Sequence, residues 1–231
     1  MKLELCAASI EAVDLAKELS FDRIELCQNL EQGGITPSPG FIEYALSKEV
    51  ETHVLIRPRS GGFRYTDEEI NIVLRDVQHC KEMGVNGVVV GILETSDRIC
   101  RHSLDQIMSI AGDMDVTFHR AFDDTYEYDK SLDVLIDAGV KRVLSAGLAR
   151  NVELGLPVLK KMNEYANGRI EIMTGGGVNS NNILKLKNEV KPAAIHFSGT
   201  NKTVIDEGSM FSETILKPNR DKVIRLLKAV R

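Results

Sequence analysis

Two hydrophobic patterns alternate along the whole chain. Short runs in which apolar residues alternate or cluster predict strands, and longer stretches with apolar residues three and four apart predict helices. Leu3-Glu4-Leu5-Cys6-Ala7 is the first strand; in the helix after it Ile10, Val13, Ala16 and Leu19 share a face. Ser9 is its N-cap, with Glu11 and Asp14 in favourable acidic positions. The second strand, 23–27, passes through Gly33-Gly34 into a helix expected to begin at Thr36-Pro37-Ser38, with Pro37 in the first helical position. A third strand covers 52–57, and Thr66 with Glu69 makes a capping box for a long helix carrying Ile70, Val73, Leu74 and Val77. Strands are also predicted over 87–91, 116–120, 142–145, 170–173 and 193–197. The helices that follow them are marked by Leu104 and Ile107, by Leu132 and Leu135, by Leu159 and Met162 with Pro157 at or near the start, by Ile183 and Leu186, and by Val223 and Leu227.

Eight strand–helix units without a break in pattern predict an α/β fold, a single-domain (β/α)8 TIM barrel over residues 1–231. Two doubly wound domains would need a linker or a change of pattern, and the chain has neither. Residues 199–217, after the eighth strand, read as a long polar loop: a mobile segment, a lid or a subunit contact.

Composition narrows the setting. With 27% charged residues and a net charge of −5, the chain offers no electrostatic reason to bind nucleic acid or an anionic membrane. No apolar run approaches the roughly 18 residues of a membrane span, and Met1-Lys2 enters a strand directly. A cytoplasmic protein is expected. Cys6, Cys27, Cys80 and Cys100 have neither Cys-x-x-Cys spacing nor a secreted disulfide framework, so reduced thiols are expected.

In this fold the chemistry sits at the carboxyl ends of strands, around an interior that is normally branched aliphatic. Here those ends are polar: Glu4 and Cys6, Glu25 and Cys27, Arg57 and Arg59, His119 and Arg120, Gly175-Gly176-Gly177, and His196 with Ser198. The second strand repeats the first, Ile-Glu-Leu-Cys after Leu-Glu-Leu-Cys, so a carboxylate and a thiol share a face on both. Buried carboxylates need partners, and Glu4 and Glu25 are expected to meet Arg57, Arg120 or an imidazole. Either a structural ion-pair plug or a functional pocket would satisfy that need. Cys6 and Cys27, on neighbouring strands, would bring two soft sulfurs together at the barrel mouth, a donor set suited to Cu(I); two buried packing residues is the plainer alternative. A closed zinc site would need two further ligands that do not visibly cluster.

The glycines 175 to 177 and Ser198 follow the last two strands, the usual phosphate position of the fold. With Arg57 and Arg59 they form the expected anion site, ordinary glycine connectors being the alternative. His119 is the candidate acid–base group with Glu25 as orienter or partner base, and Glu4 and Arg120 complete the candidate catalytic set. No organic cofactor is implied.

Five segments carry a resemblance: Arg23-Ile24-Glu25-Leu26-Cys27, Gly33-Gly34-Ile35-Thr36-Pro37-Ser38, Ile56-Arg57-Pro58-Arg59, Thr117-Phe118-His119-Arg120-Ala121-Phe122-Asp123 and Gly175-Gly176-Gly177. In this order, across most of the chain, they resemble the copper homeostasis protein CutC family. The resemblance implies a cytoplasmic TIM barrel, a homodimer or higher homo-oligomer, associated with copper tolerance and Cu(I) binding. Cys6 and Cys27 stand where that family's proposed copper-binding cysteines lie, and the resemblance brings no established reaction. Two departures stand out. Ser60-Gly61-Gly62-Phe63 lacks the acid of the family's Gly-Gly-Asp-Phe, and Leu144-Ser145-Ala146-Gly147 lacks one hydroxyl of its Leu-Thr-Ser-Gly. Two functions follow from the residues: Cu(I) binding through Cys6 and Cys27, or a TIM-barrel enzyme acting on a small anionic or phosphorylated substrate. Whether the protein is an enzyme stays open at this point.

Overall fold

The alternation along the strands becomes the inside and the outside of a barrel. In the computed structural model, which describes residues 1–230, eight parallel strands pair in chain order and close on themselves. They are β1 (Lys2–Ala7), β2 (Arg23–Leu26), β3 (Thr52–Leu55), β4 (Gly87–Val90), β5 (Asp115–Phe118), β6 (Arg142–Ser145), β7 (Glu171–Gly175) and β8 (Ala194–Phe197). Around them run α1 (Ile10–Glu18), α2 (Pro39–Ser47), α3 (Asp67–Met83), α4 (Arg101–Ala111), α5 (Tyr128–Asp137), α6 (Val152–Ala166), α7 (Ile183–Glu189) and α8 (Arg220–Val230). Outward strand residues such as Leu5, Ile24, Val54, Val88, Phe118 and Ile195 join Val13, Val77, Ile107, Leu135 and Leu159 of the helices in one apolar layer. Burial of each such side chain is worth about 1.5–3 kcal/mol, and this layer supplies the main drive to fold.

The interior is stratified. Near the amino ends lies a buried polar floor. Arg142 donates to Asp115 (2.8 Å), Glu171 (3.0 Å) and Thr117 (3.1 Å), and its Nη1 lies 3.3 Å from Nδ1 of His53. Arg23 pairs with Glu4 and reaches Glu51 at 3.3 Å. Above this floor sit Cys6, Cys27, Leu55 and Val89, while Leu144, Met173 and Ala194 form a second small apolar group that reaches down to the floor, where Met173 accepts from Arg23 at 3.5 Å. The ion-pair plug and the pocket are thus both present, at different levels of one barrel.

The pairing register keeps an imidazole as a partner of the two glutamates and corrects the expected arginines. Glu4 stands opposite Arg23 on β2 and opposite His196 on β8, while Cys6 stands opposite Glu25. The repeated Glu-Leu-Cys segments are therefore offset by two residues and do not lie side by side. Arg57 and Arg120 make no ion pair with either glutamate among the described residues; Arg23 and the imidazole of His196 take that role.

Three local expectations also change. Helix α2 begins at Pro39 rather than Pro37, because the Ser38 side chain accepts from the Phe41 amide and so sets the cap one turn element later. Helix α6 begins at Val152, with Asn151 accepting from Glu153 (3.1 Å) and Leu154 (3.0 Å), which leaves Pro157 inside the helix at the loss of one backbone bond. Residues 199–217 are mainly an antiparallel hairpin, β9 (Thr200–Ile205) with β10 (Glu213–Pro218), not a loop. Neither face of this hairpin is fully buried, so the sequence carries no clean alternation to announce it. The Leu216 amide donates to Glu31 (2.5 Å) and ties the hairpin to the 3₁₀ turn Leu30–Gln32 beside the barrel mouth.

Removing Arg23 leaves the buried Glu4 carboxylate with His196 but without its guanidinium partner. Arg23→Ala is expected to lower stability by about 3–5 kcal/mol, read from urea unfolding, whereas Glu4→Gln with Arg23→Met recovers most of that loss. Equal losses in the single and double variants would show that the pair does not act as a unit.

Candidate functional site

At the carboxyl end of the barrel, β1 and β2 direct Cys6 and Cys27 into one cavity of about 140 Å³. It is also lined by Glu25, Leu30, Gly33, Leu55, Arg57, Phe63, His119, Arg120, Leu144 and His196. The two sulfurs are 3.8 Å apart, well beyond the roughly 2.05 Å of a disulfide, and both cysteines are free. Gly34 lets the chain fold back over them. Its φ is +84°, and a Cβ there would lie 2.8 Å from Leu55 Cδ2 and 3.5 Å from the Cys27 sulfur.

His196 joins the two glutamates. Its Nδ1 lies 2.7 Å from Glu4 and 3.3 Å from Glu25. Burial alone would raise both carboxyl pKa values. For Glu4 the hydrogen bond and charge of His196, with Arg23 behind them, reverse the effect and bring it down to about 2. For Glu25 burial prevails, helped by the Glu4 charge against that of His196, and its pKa rises to about 7. Burial would pull His196 down, but the charge of Glu25 and hydrogen bonds to Cys6 and Glu4 hold it well above its usual range. An ionised Glu4 in the floor thus supports, at the mouth, a cationic His196 and a Glu25 that exchanges its proton near neutrality. The Cys6 thiol is pushed well above its ordinary range, first by its hydrogen bond to Cys27 and then by burial, so it stays protonated until something displaces the proton.

His119 occupies a different environment from the one expected. Its Nδ1 accepts from the Ala121 amide (3.1 Å), and burial together with the Arg57 charge pulls its pKa down to about 3. It is a neutral imidazole with its proton on Nε2. The imidazole paired with Glu25 is His196, not His119; chain direction at β5 turns His119 back onto its own following turn. Arg57 lines the cavity with its guanidinium on the carbonyls of Gln32, Gly34 and Gly61. Arg120 lines it too, paired with Asp123 at 2.8 Å. Asp123 also accepts from Ser145, Ala146 and Leu148, so the loop after β6 is satisfied without the hydroxyl that the family pattern has at Ala146.

The expected anion set is not assembled. Arg59 pairs with Glu69 and the Arg64 carbonyl, and faces an open groove with Arg64, Asp97 and Asp124. Gly175, Gly176 and Gly177 are outside the cavity lining and serve packing: a Cβ at Gly175 would strike Leu144 and His196, and one at Gly176 would strike Arg120. Ser198 hydrogen-bonds Thr200 (3.1 Å). After β8 the chain runs into the hairpin instead of a helix, and after β7 helix α7 starts only at Ile183. Glu4 lies in the floor beneath the cavity. Sequence reasoning missed Arg23 and undervalued His196. The signal for Arg23 was its place two residues before Glu25, on the same strand face.

Comparison with known proteins adds ancestry to this geometry. The CutC family model matches residues 1–201, ending just inside the hairpin. A CutC family protein of Glaesserella parasuis serovar 5 is 37% identical over 227 residues, 97% of this chain and 93% of the relative. One from Bacteroides fragilis is 40% identical over 199 residues, covering 84% and 78%. The crystal structure of CutC from Streptococcus agalactiae superposes with a TM-score of 0.80 at 33% identity, over 85% of this chain and 98% of that one. An N-(5'-phosphoribosyl)anthranilate isomerase from Pyrococcus furiosus, at 13% identity, 100% and 98% coverage and a TM-score of 0.60, shares the fold alone.

The two glutamates link stability to pH with opposite signs. Glu4, depressed from 4.5 to about 2, contributes stability that is present above 4.5 and lost as pH falls toward 2. Glu25, raised from 4.5 to about 7, contributes stability that is present below 4.5 and lost as pH rises through 7. The urea midpoint of the reduced protein is expected to fall between about pH 5 and 8, and Glu25→Gln to flatten that fall while keeping the acid limb. An identical alkaline decline in the variant would remove Glu25 as its source.

Proposed function

Because the chain belongs to the CutC family, we propose that it is a copper homeostasis protein whose cargo is Cu(I), held by Cys6 and Cys27 at the barrel mouth. The observation that carries this reading is the pair of free sulfurs 3.8 Å apart that line one cavity. Thiolate is a preferred ligand class for Cu(I), and Leu30, Leu55 and Val89 surround the pair with apolar walls that limit competing water.

Charge also favours a soft monovalent ion. Two thiolates around Cu(I) carry one net negative charge, and the cationic His196, hydrogen-bonded to Cys6, is the neighbour that offsets it. Cys6, Glu25 and His196 each bring a donor atom within 4.8 Å of one another, a set that a harder ion could use. His196 and Cys6 must each lose a proton to bind a metal, so the preference for the sulfur pair rests on the softness of thiolate toward Cu(I). A thiol pair of this kind persists in a reducing compartment, which fits a cytoplasmic role. Among the described residues no helix is long and apolar enough to cross a membrane.

Reduced protein is expected to take up Cu(I) stoichiometrically in competition with a chromogenic Cu(I) chelator, and Cys6→Ser with Cys27→Ser to abolish uptake. Affinity should strengthen as pH rises, because the raised Cys6 pKa makes each binding event displace a proton. Undiminished uptake by the double variant, or affinity independent of pH, would refute the assignment.

A further inference from the structure

The sulfur pair leaves two other polar groups of the same cavity without a role. Arg57 is 5% exposed, and its guanidinium donates to the carbonyls of Gln32 (3.2 Å), Gly34 (2.8 Å) and Gly61 (2.6 Å). Three of the roughly five N–H groups of the side chain are used, and none meets a carboxylate among the described residues. The other two buried arginines differ: Arg23 has Glu4, and Arg142 has Asp115 and Glu171. Carbonyl dipoles soften the desolvation of a buried cation but bring no opposite charge.

His119 is the second group. It is 6% exposed, and its Nδ1 is committed to the Ala121 amide, so its proton lies on Nε2. That Nε2 has no hydrogen-bond partner. The ring has little freedom to seek one, because it is seated against Gly91, where even a Cβ would lie 2.2 Å from its Cε1. Phe63 packs against both groups, 4.9 Å from the His119 ring and 5.1 Å from the Arg57 guanidinium carbon. A buried cation without an anion and a buried donor without an acceptor therefore line one cavity together. An unmet buried donor costs free energy that a suitable ligand would recover.

We propose that the barrel mouth is a binding site for a small monocarboxylate. Its carboxylate accepts from the His119 Nε2–H and supplies the charge that Arg57 lacks. Its short aliphatic part lies against Leu30, Leu55, Phe63 and Leu144. Size and charge set the class. A cavity of about 140 Å³ compares with the roughly 150 Å³ that accommodates benzene, so a ligand of about six non-hydrogen atoms fits. One uncompensated cation calls for a monoanion, and a phosphate dianion would bring surplus negative charge beside Glu25. The site is independent of the copper reading, since it uses neither sulfur and concerns metal-free protein.

The experiment titrates butyrate, with butyramide and inorganic phosphate as controls, into the reduced, metal-free full chain. Calorimetry and the ¹⁵N and ¹H signals of the His119 ring follow binding. Saturable binding of butyrate alone is expected, with a shift of the Nε2–H resonance. Arg57 is not the residue to change, because it ties together Gln32, Gly34 and Gly61. His119→Phe retains a ring against Phe63 and should weaken butyrate by about tenfold or more. Leu30→Trp fills the cavity and should abolish binding while both polar groups remain. No saturation at concentrations on the order of tens of millimolar, equal binding of butyramide or phosphate, or undiminished binding in Leu30→Trp would overturn the proposal.

Discussion

Glu4 lies where the barrel closes. Its strand, β1, pairs with β2 on one side and β8 on the other, and its carboxylate takes Arg23 from the first and His196 from the second. A fully buried carboxylate would be costly alone, so the two contacts are a condition of its presence there. The consequence reaches the mouth. Glu4 orients His196, and His196 in turn faces Glu25 and Cys6, so the electrostatics of the cavity descend from one closure contact.

This explains why the interior can depart from the aliphatic filling usual for such barrels. The charged floor is neutralised by paired arginines and acids, which lets the level above it hold thiols and small apolar side chains. The outer layer between strands and helices is continuous and apolar, and it bears the burden of stability. The barrel interior is thereby released for chemistry. Its neutralised floor and its partly uncompensated mouth are the structural counterparts of fold and function.

At the mouth, two kinds of ligand chemistry meet within one small volume. Cys6 and Cys27 offer soft sulfurs, while Arg57 and His119 offer a cation and a donor. They come from different strands and loops, and the Gly33-Gly34 turn brings them under one cover by folding back across β2. The two proposed ligands, a soft cation and a small anion, would call on different partners in the same cavity.

Much of the architecture was legible in the chain. The strand–helix alternation, the Ser9 cap and the Thr66–Glu69 capping box are local, and the residues that make them are neighbours in sequence. The meeting of Cys6 and Cys27 was legible as well, because consecutive strands of a barrel are adjacent. The hairpin was hidden because its strands have no buried face to impose a period. Pro37 and Pro157 misled because side-chain caps at Ser38 and Asn151, not the prolines, set the helix starts.

What the sequence could not decide were contacts across the barrel. His196 and Glu4 are 192 positions apart, and only closure makes them neighbours. The stagger between β1 and β2 sets Glu4 beside Arg23 and Cys6 beside Glu25, which a comparison of the repeated segments would have paired differently. Likewise Arg57 and Arg59, two residues apart, part company only in three dimensions, one buried at the cavity and the other bound to Glu69. The sequence alone determined the elements and the kinds of side chain at the strand ends. Tertiary structure decided which of them share a charge, a hydrogen bond or a void, because register and closure are properties of the whole barrel and not of any one of its strands.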